Sequence, residues 1–228
     1  MTRFKSKMAG SSKFDLAFFW FAQSLVKIFC RTWFRMSIEG RENIPKHQGP
    51  FVIAPIHRSN LDTPIVGALF PYRVRFMGKD SLWKSTFGNK LLSALGGFPV
   101  TRGTADREAL QKSFDVIEGG EPLVLFPEGE RKSGPIVQTL FDGAVYVAAK
   151  YRVPILPVGI GGSERAMKKG SKMIRPVKVH VVIGPLITTA DKLPDSGRVP
   201  RPVLTTISGE LHDTLQELFD RAQIKARA

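Results

Sequence analysis

The feature that most constrains the fold is a series of short apolar runs that alternate with stretches of helical character. The runs are PFVIAPI (50–56), RVRFMG (73–78), GFPVT (97–101), PLVLF (122–126), PILPVGI (154–160) and VKVHVVIG (177–184). Most are continuously apolar, which is typical of strands covered on both faces. Strands that alternate with helices predict an α/β domain of three layers with a largely parallel central sheet. Ligands of such sheets bind in loops beyond the carboxyl ends of the strands.

Three helical segments separate or follow these runs. The first is capped by Thr104 and ends at Gly119-Gly120, and the second covers 139–151. The third, 202–225, repeats apolar residues at helical spacing, which predicts an amphipathic closing helix. Its apolar face consists of Leu204, Ile207, Leu211, Leu215, Leu218 and Phe219.

Composition limits the classes of partner and of chemistry. The chain has 228 residues and a net charge of +14, which predict a single α/β core and an anionic partner: nucleic acid, a phosphorylated metabolite or an acidic membrane surface. Cys30 is the only cysteine, which excludes an intramolecular disulfide and a cysteine-rich zinc site and fits a reducing compartment. No P-loop, GxGxxG or HExxH motif occurs, and no recognisable nucleic-acid-binding motif.

The N-terminal segment 1–36 combines basic residues with an aromatic, apolar run. Neither a signal peptide nor a spanning helix is predicted, because Gln23 and Ser24 interrupt the run and a span needs about 20 apolar residues. At helical spacing, a polar stripe lies opposite an apolar face. The stripe is Gln23, Lys27, Arg31 and Arg35, and the face is Phe18, Phe21, Leu25, Ile28, Phe29 and Trp33.

This amphipathic helix has two interpretations. It can lie with its apolar side on the protein's own core, or in a membrane interface with aromatic side chains at the acyl boundary and cations at anionic headgroups. The aromatic content favours the membrane. We therefore expect two units, a membrane-docking segment at 1–36 and the α/β domain at 37–228.

The stretch PIHRSNLD (55–62) places His57 five residues before Asp62. On its own it resembles an ordinary helix start, because Ser59 and Asp62 have the spacing of a capping box and Pro64 lies close by. The alternative is that His57 and Asp62 form a catalytic pair. Residues five apart on a regular helix are separated by about 140°, so a hydrogen bond between the two side chains requires His57 to precede the helix. Aspartate bonded to one imidazole nitrogen would leave the other as a general base.

Basic residues follow other predicted strands. Lys79, Arg102 and Arg131 each lie in a loop just beyond a strand, and Arg131 belongs to LFPEGERKSG (125–134). Each can be an ordinary solvated charge. Together, at one edge of a parallel sheet, they suit an anionic ligand beside His57. No GxSxG nucleophile elbow is present, so the nucleophile is expected to come from the substrate.

Four segments resemble, in order, the sequence blocks of the glycerolipid acyltransferases: IHRSNLD, KDSLWKSTFGNKLLSALGGFPVTRG, FPEGERKSG and VPILPV. H-x4-D alone is a weak signal, but followed by FPEG-x-R and VPI-x-PV it is specific. The likeness covers roughly 38–185 and is greatest to the members that acylate 1-acyl-sn-glycerol 3-phosphate. It implies a peripheral membrane enzyme on the cytoplasmic face that transfers a fatty acyl group from acyl-CoA or acyl carrier protein to lysophosphatidate or a related glycerol phosphate. It also implies no metal or other cofactor, and no nucleic-acid partner.

The resemblance further implies roles for individual residues. His57 would be the general base, oriented by Asp62, and the acceptor oxygen would attack the acyl thioester directly without an acyl-enzyme. Lys79, Arg102 and Arg131 match positions that bind the acceptor phosphate.

Other matches and departures concern the two later blocks. Glu128 and Gly129 match the loop that shapes the site, and Pro154 matches a block associated with the acyl donor. Glu130 stands where relatives usually have a small hydroxyl residue, and Asp142 where they often have lysine. A carboxylate that points into a phosphate site would weaken binding, so these departures leave the acceptor open.

Two alternative functions follow. The acceptor can differ, for example glycerol 3-phosphate, another lysophospholipid or a lipid-linked sugar. Alternatively the chain is a non-catalytic basic membrane-binding module, which basic clusters such as 165–178 allow.

Overall fold

The computed structural model of the chain describes residues 12–100, 106–194 and 199–228. In these ranges the strands are β1 (Ser37–Glu39), β2 (Val52–Pro55), β3 (Arg75–Lys79), β4 (Gly97–Val100), β5 (Leu123–Val124), β6 (Ile155–Gly161) and β7 (His180–Ile183). The α-helices are α1 (Lys13–Thr32), α2 (Asp62–Leu69), α3 (Thr86–Ala94), α4 (Asp106–Glu118), α5 (Gly143–Lys150), α6 (Ser163–Ala166) and α7 (Arg201–Arg227).

The strands form one sheet in the order β1-β7-β6-β2-β5-β3-β4. Every neighbouring pair is parallel except β6 and β7. The predicted largely parallel α/β sheet is confirmed, and all six predicted strands are present. The sequence did not reveal β1, because three half-buried residues are too few to form a pattern.

Helices cover the sheet on both faces. Within β2, Val52 and Ala54 belong to a buried cluster with residues of α4, α5 and α7, whereas Ile53 belongs to a second cluster with α2 and the end of α1. Successive strand residues point to opposite faces. The three-layer arrangement predicted from the continuously apolar runs is therefore correct.

The closing helix α7 packs along β6. All six residues of its predicted apolar face are buried. The observed bounds of α4 and α5 can be compared with the two other predicted helices. Helix α4 ends before Gly119 as expected, but Thr104 lies outside the described residues. Helix α5 begins only at Gly143, because residues 137–141 have no regular secondary structure and the Phe141 amide donates to the Pro127 carbonyl (2.8 Å).

Helix α1 packs on α2 through its polar stripe. Gln23 is buried, and its side-chain amide donates to the carbonyls of Gly67 (2.9 Å) and Phe70 (3.2 Å) at the end of α2. The Lys27 ammonium donates to the Gln23 side-chain oxygen (2.8 Å). The last carbonyls of a helix have no partner within it, so these side chains satisfy them. The polar stripe therefore contacts the protein at Gln23 and Lys27.

The apolar face of α1 is correspondingly exposed. Phe21, Leu25 and Ile28 are 63%, 53% and 60% exposed. The interpretation in which this face covers the protein's own core is therefore wrong for these residues. Across the described residues, no helix combines the length and the apolar character needed to cross a bilayer.

Candidate active site

His57 lies in the turn between β2 and α2, before the helix begins at Asp62. Its Nδ1 is 3.0 Å from Asp62 Oδ2. The geometric condition for a hydrogen bond between residues five apart is thus met.

Asp62 Oδ2 also accepts the backbone amides of Arg58 (2.6 Å) and Ser59 (2.7 Å). The carboxylate is fully buried. Because an ionised carboxylate only accepts, the network assigns the proton of a neutral imidazole to Nδ1 and leaves the Nε2 lone pair available. A hydrogen bond from a buried carboxylate also holds the ring in one orientation.

The expected capping box at Ser59 is only half present. The Ser59 amide donates to Asp62, but the Ser59 hydroxyl donates to the Met167 carbonyl (2.8 Å) and accepts from the Leu61 amide (3.3 Å). The cause is that α2 starts two residues later than a Ser59 cap requires. Ser59 therefore ties the motif to the segment after α6.

A second contact fixes the imidazole from the side. The rings of His57 and Phe126 stack with centroids 3.9 Å apart and an interplanar angle of 22°. The His57 side chain retains 16% of its exposure. It is therefore held on two sides and still accessible to a substrate.

Arg58 and Glu128 form a buried ion pair beneath this dyad. Arg58 Nη1 lies 2.6 Å from Glu128 Oε2, and both side chains are almost completely buried. Further guanidinium nitrogens donate to the carbonyls of Gly134 (3.2 Å) and Ile136 (3.0 Å), and Glu128 Oε1 accepts the Gln138 amide (3.0 Å). Glu128, expected to shape the site, joins the loop after β5 to the loop after β2.

The same loop is hydrogen-bonded directly to the histidine backbone. The Lys132 amide donates to the His57 carbonyl (2.9 Å), which places Arg131, half-buried, one residue from that bond. Gly129 forms the turn with φ of +71°, and a Cβ there would lie 2.8 Å from the Phe141 ring. Glycine adopts such a φ without a steric cost.

The other expected site residues differ in position. Lys79 is exposed at the carboxyl end of β3. Strand β5 separates β3 from β2, so Lys79 lies on the same edge as His57 at a lateral spacing of about 10 Å. Arg102 lies outside the described residues. Pro154 precedes β6, and its carbonyl accepts the Val52 amide (3.0 Å) at the amino end of β2. The structure therefore does not bring Pro154 to His57.

The two departures from the family pattern lie at an exposed loop position and at a contact with α7. Glu130 is exposed and pairs with Lys132 (2.9 Å). Asp142 accepts the Ser208 hydroxyl (3.2 Å) and lies 3.5 Å from Arg201, at the start of α7. Asp142 therefore belongs to a helix contact rather than to the cleft.

Sequence reasoning missed Arg58 and Phe126. An arginine next to the motif histidine and a glutamate after a neighbouring strand are opposite charges at one sheet edge, so the Arg58–Glu128 pair had a signal. Phe126 had none, because a strand-end aromatic residue is ordinary core material. The cluster as a whole can accept a proton at Nε2 and attract an anion at Arg131.

Comparisons with known proteins identify related sequences. Residues 35–161 match the family described as Acyltransferase. A 1-acyl-sn-glycerol-3-phosphate acyltransferase of Chlamydomonas reinhardtii is 29% identical over 196 residues, covering 82% of this chain and 57% of that protein. A chloroplastic 1-acyl-sn-glycerol-3-phosphate acyltransferase of Brassica napus is 27% identical over 171 residues, covering 73% and 49%. The chain spans about half the length of the curated relatives it matches.

A solved structure has the same fold. The crystal structure of the 1-acyl-sn-glycerophosphate (LPA) acyltransferase PlsC from Thermotoga maritima matches with a TM-score of 0.67 and 26% identity, covering 87% of this chain and 80% of that chain. The family match takes in more than half of this chain and includes both His57 and the loop after β5. The chain therefore belongs to the acyltransferase family.

Proposed function

We propose that this chain transfers a fatty acyl group from acyl-CoA or acyl carrier protein to the free hydroxyl of 1-acylglycerol 3-phosphate, forming phosphatidic acid. The observation that carries the proposal is the His57–Asp62 hydrogen bond (3.0 Å) beside a loop bearing Arg131. The relatives named as 1-acyl-sn-glycerol-3-phosphate acyltransferases support the choice of acceptor.

His57 Nε2 takes the proton of the acceptor hydroxyl as its oxygen attacks the thioester carbonyl. Asp62 stabilises the imidazolium that forms, since its charge faces Nδ1. The tetrahedral intermediate then collapses, the carbon–sulfur bond breaks, and the imidazolium returns the proton to the thiolate. A new ester and a free thiol result.

No side chain of the dyad needs to carry the acyl group. Cys30 is buried in α1, and burial raises the pKa of its thiol to about 11, which suppresses the thiolate at neutral pH. This supports direct attack by the substrate oxygen.

Arg131 is proposed to bind the acceptor phosphate, with Lys79 and Arg102 as the other cations of that site. Arginine is suited to phosphate because its planar guanidinium donates two parallel hydrogen bonds. Glu130 pairs with Lys132, which offsets the charge of this additional carboxylate in the same loop.

We further propose that residues 1–36 dock the enzyme as a peripheral protein on an anionic, cytoplasmic membrane face. The exposed aromatic and aliphatic side of α1 supports this, as does the net charge of +14. A groove of about 250 Å³ between α1 and α2 is lined by Leu25, Phe29, Cys30, Leu61, Pro64 and Ile65. Leu61 directly precedes Asp62, so an acyl chain in this groove would lie close to the dyad.

The test is thiol release from palmitoyl-CoA with lysophosphatidate present. We expect His57→Ala to lose activity, whereas His47→Ala, an exposed histidine before β2, keeps it. Near wild-type turnover by His57→Ala would refute the mechanism. The same assay compares other acceptors side by side: glycerol 3-phosphate, another lysophospholipid and a lipid-linked sugar. Acyl carrier protein is used as a second donor. Mass spectrometry identifies the products.

Docking by α1 is tested separately by flotation with anionic vesicles. Phe21→Ser with Ile28→Ser changes two exposed side chains and leaves the Gln23 contact to α2 intact. We expect this variant to bind vesicles more weakly. Unchanged binding would count against docking through α1.

A further inference from the structure

The segment 165–178, from the end of α6 to just before β7, is a concentrated cationic surface. Its basic residues are Arg165, Lys168, Lys169, Lys172, Arg175 and Lys178, and no acidic residue occurs between Glu164 and Asp191. A segment of one charge attracts an anionic partner and repels a cationic one.

This segment contains a compact loop, Lys168–Arg175, called the basic loop below. The Arg175 amide donates to the Ala166 carbonyl (2.8 Å) and closes the loop. The Ser171 amide donates to the Lys168 carbonyl (3.0 Å), and Gly170 turns the chain with φ of +84°. Its shape is therefore set by its own backbone hydrogen bonds.

The basic loop exposes two consecutive apolar side chains. Met173 is 67% and Ile174 38% exposed, and both lie between Lys172 and Arg175. Single exposed apolar residues are common on protein surfaces. A consecutive pair flanked by cations is instead the composition of a segment that inserts at a membrane interface, with apolar side chains in the acyl boundary and cations at headgroups.

The base of the loop lies beside both α1 and the dyad. After the loop, the Val179 amide donates to the carbonyl of Phe34, two residues beyond α1 (3.0 Å). Before it, the Met167 carbonyl accepts the Ser59 hydroxyl (2.8 Å). The Lys169 ammonium donates to the Arg131 carbonyl (3.1 Å). The loop thus adjoins the exposed helix on one side and the candidate active site on the other.

We propose that the basic loop is a second membrane contact, in which Met173 and Ile174 enter the interface of an anionic bilayer and Lys168 and Lys172 bind lipid phosphates. The inference rests on the proposed docking of α1 for its orientation. One contact leaves a protein free to rock about its anchor, whereas two contacts next to His57 fix the cleft relative to the surface. The apolar pair favours a bilayer over an acidic carrier protein, which cations alone would attract.

The experiment is flotation of the full chain with vesicles of phosphatidylcholine alone or mixed with phosphatidylglycerol. We expect Lys168→Gln with Lys172→Gln to lower partition onto the mixed vesicles by at least about tenfold, since each cation near an anionic surface contributes about 1 kcal/mol. Met173→Ser with Ile174→Ser should lower partition onto both kinds of vesicle. The matched control is Lys46→Gln with Arg201→Gln, which removes the same charge from exposed positions before β2 and at the start of α7. This control should change partition much less.

The outcomes separate this inference from the proposed function. Wild-type partition by both loop variants overturns it, as does an equal loss in the Lys46/Arg201 control. Normal vesicle binding with lost binding to acyl carrier protein also overturns it and assigns the loop to the donor. Acyl transfer to a short-chain, water-soluble lysophosphatidate without vesicles is measured in parallel. A wild-type protein that binds vesicles through the loop but transfers no acyl group would refute the proposed function and leave the membrane contact standing.

Discussion

The Arg58 guanidinium and the Glu128 carboxylate meet at 2.6 Å with both side chains almost completely buried. Each partner also holds backbone: Arg58 binds carbonyls of the segment after Arg131, and Glu128 accepts the Gln138 amide. This pair joins the two loops that carry the candidate base and the candidate phosphate ligand. Together with the hydrogen bond from the Lys132 amide to the His57 carbonyl, it holds these groups close to each other.

We expect Glu128→Gln to lower the free energy of unfolding by about 3–5 kcal/mol, because it leaves the Arg58 charge buried without a counter-ion. Urea denaturation measures this. The matched control is Glu130→Gln, which removes an exposed partner of Lys132 and should change stability by less than about 1 kcal/mol. Similar effects of the two substitutions on the free energy of unfolding would show that the buried Arg58–Glu128 pair stabilises the protein no more than the exposed Lys132–Glu130 pair.

Asp62→Asn tests the role of the carboxylate at nearly constant shape. The amide oxygen can still accept the Arg58 and Ser59 backbone amides, but it carries no charge to stabilise an imidazolium. We expect turnover to fall by about a thousandfold or more. Asp213→Asn, at a side chain that is 88% exposed, is the control. A loss of less than about tenfold would mean that Asp62 does not orient and support the base.

Cys30 gives a pH-dependent prediction. Burial raises the pKa of its thiol from 9.0 to about 11 in the folded chain. The unfolded chain therefore loses this proton at lower pH than the folded chain, and the stability that Cys30 contributes below pH 9 is lost as the pH rises toward 11.

The measurement is urea unfolding at several pH values for wild type and Cys30→Ala. Titrations of other groups cancel in the difference between the two proteins. The stability of wild type relative to the variant should decrease between pH 9 and 11, and iodoacetamide should label the folded thiol slowly at pH 8. Rapid labelling, or a difference independent of pH, would contradict the assignment.

The sequence predicted the strands of the sheet better than it predicted contacts between distant segments. Continuous apolar runs identified six strands and the layered fold because burial on both faces leaves a direct compositional mark. For α1 the pattern located a helix but not its orientation, since Gln23 is buried through two carbonyls of α2 that no local pattern contains. The Ser59 hydroxyl differs from a cap for the same reason, because its partner Met167 is distant in the chain.

In the candidate site, too, contacts between residues close in sequence were predictable and contacts between distant residues were not. His57 and Asp62 are close in sequence, so their geometry could be argued from spacing alone. The contact between Phe126 and His57 depends on how β5 lies beside β2, which single-sequence spacing does not encode.

Gly161→Ala tests the close packing of α7 on β6. A Cβ at Gly161 would lie 2.1 Å from the Ala222 carbonyl oxygen, so the helix would have to move off the strand. We expect a loss of about 1–3 kcal/mol or more in the free energy of unfolding, measured by urea denaturation. Gly209→Ala is the matched control within α7, where a Cβ meets no atom within 4 Å outside its own stretch of helix among the described residues. Because alanine favours helix over glycine by about 1 kcal/mol, this control should stabilise the protein. Equal effects of the two alanines would mean that α7 does not approach β6 as closely as these distances require.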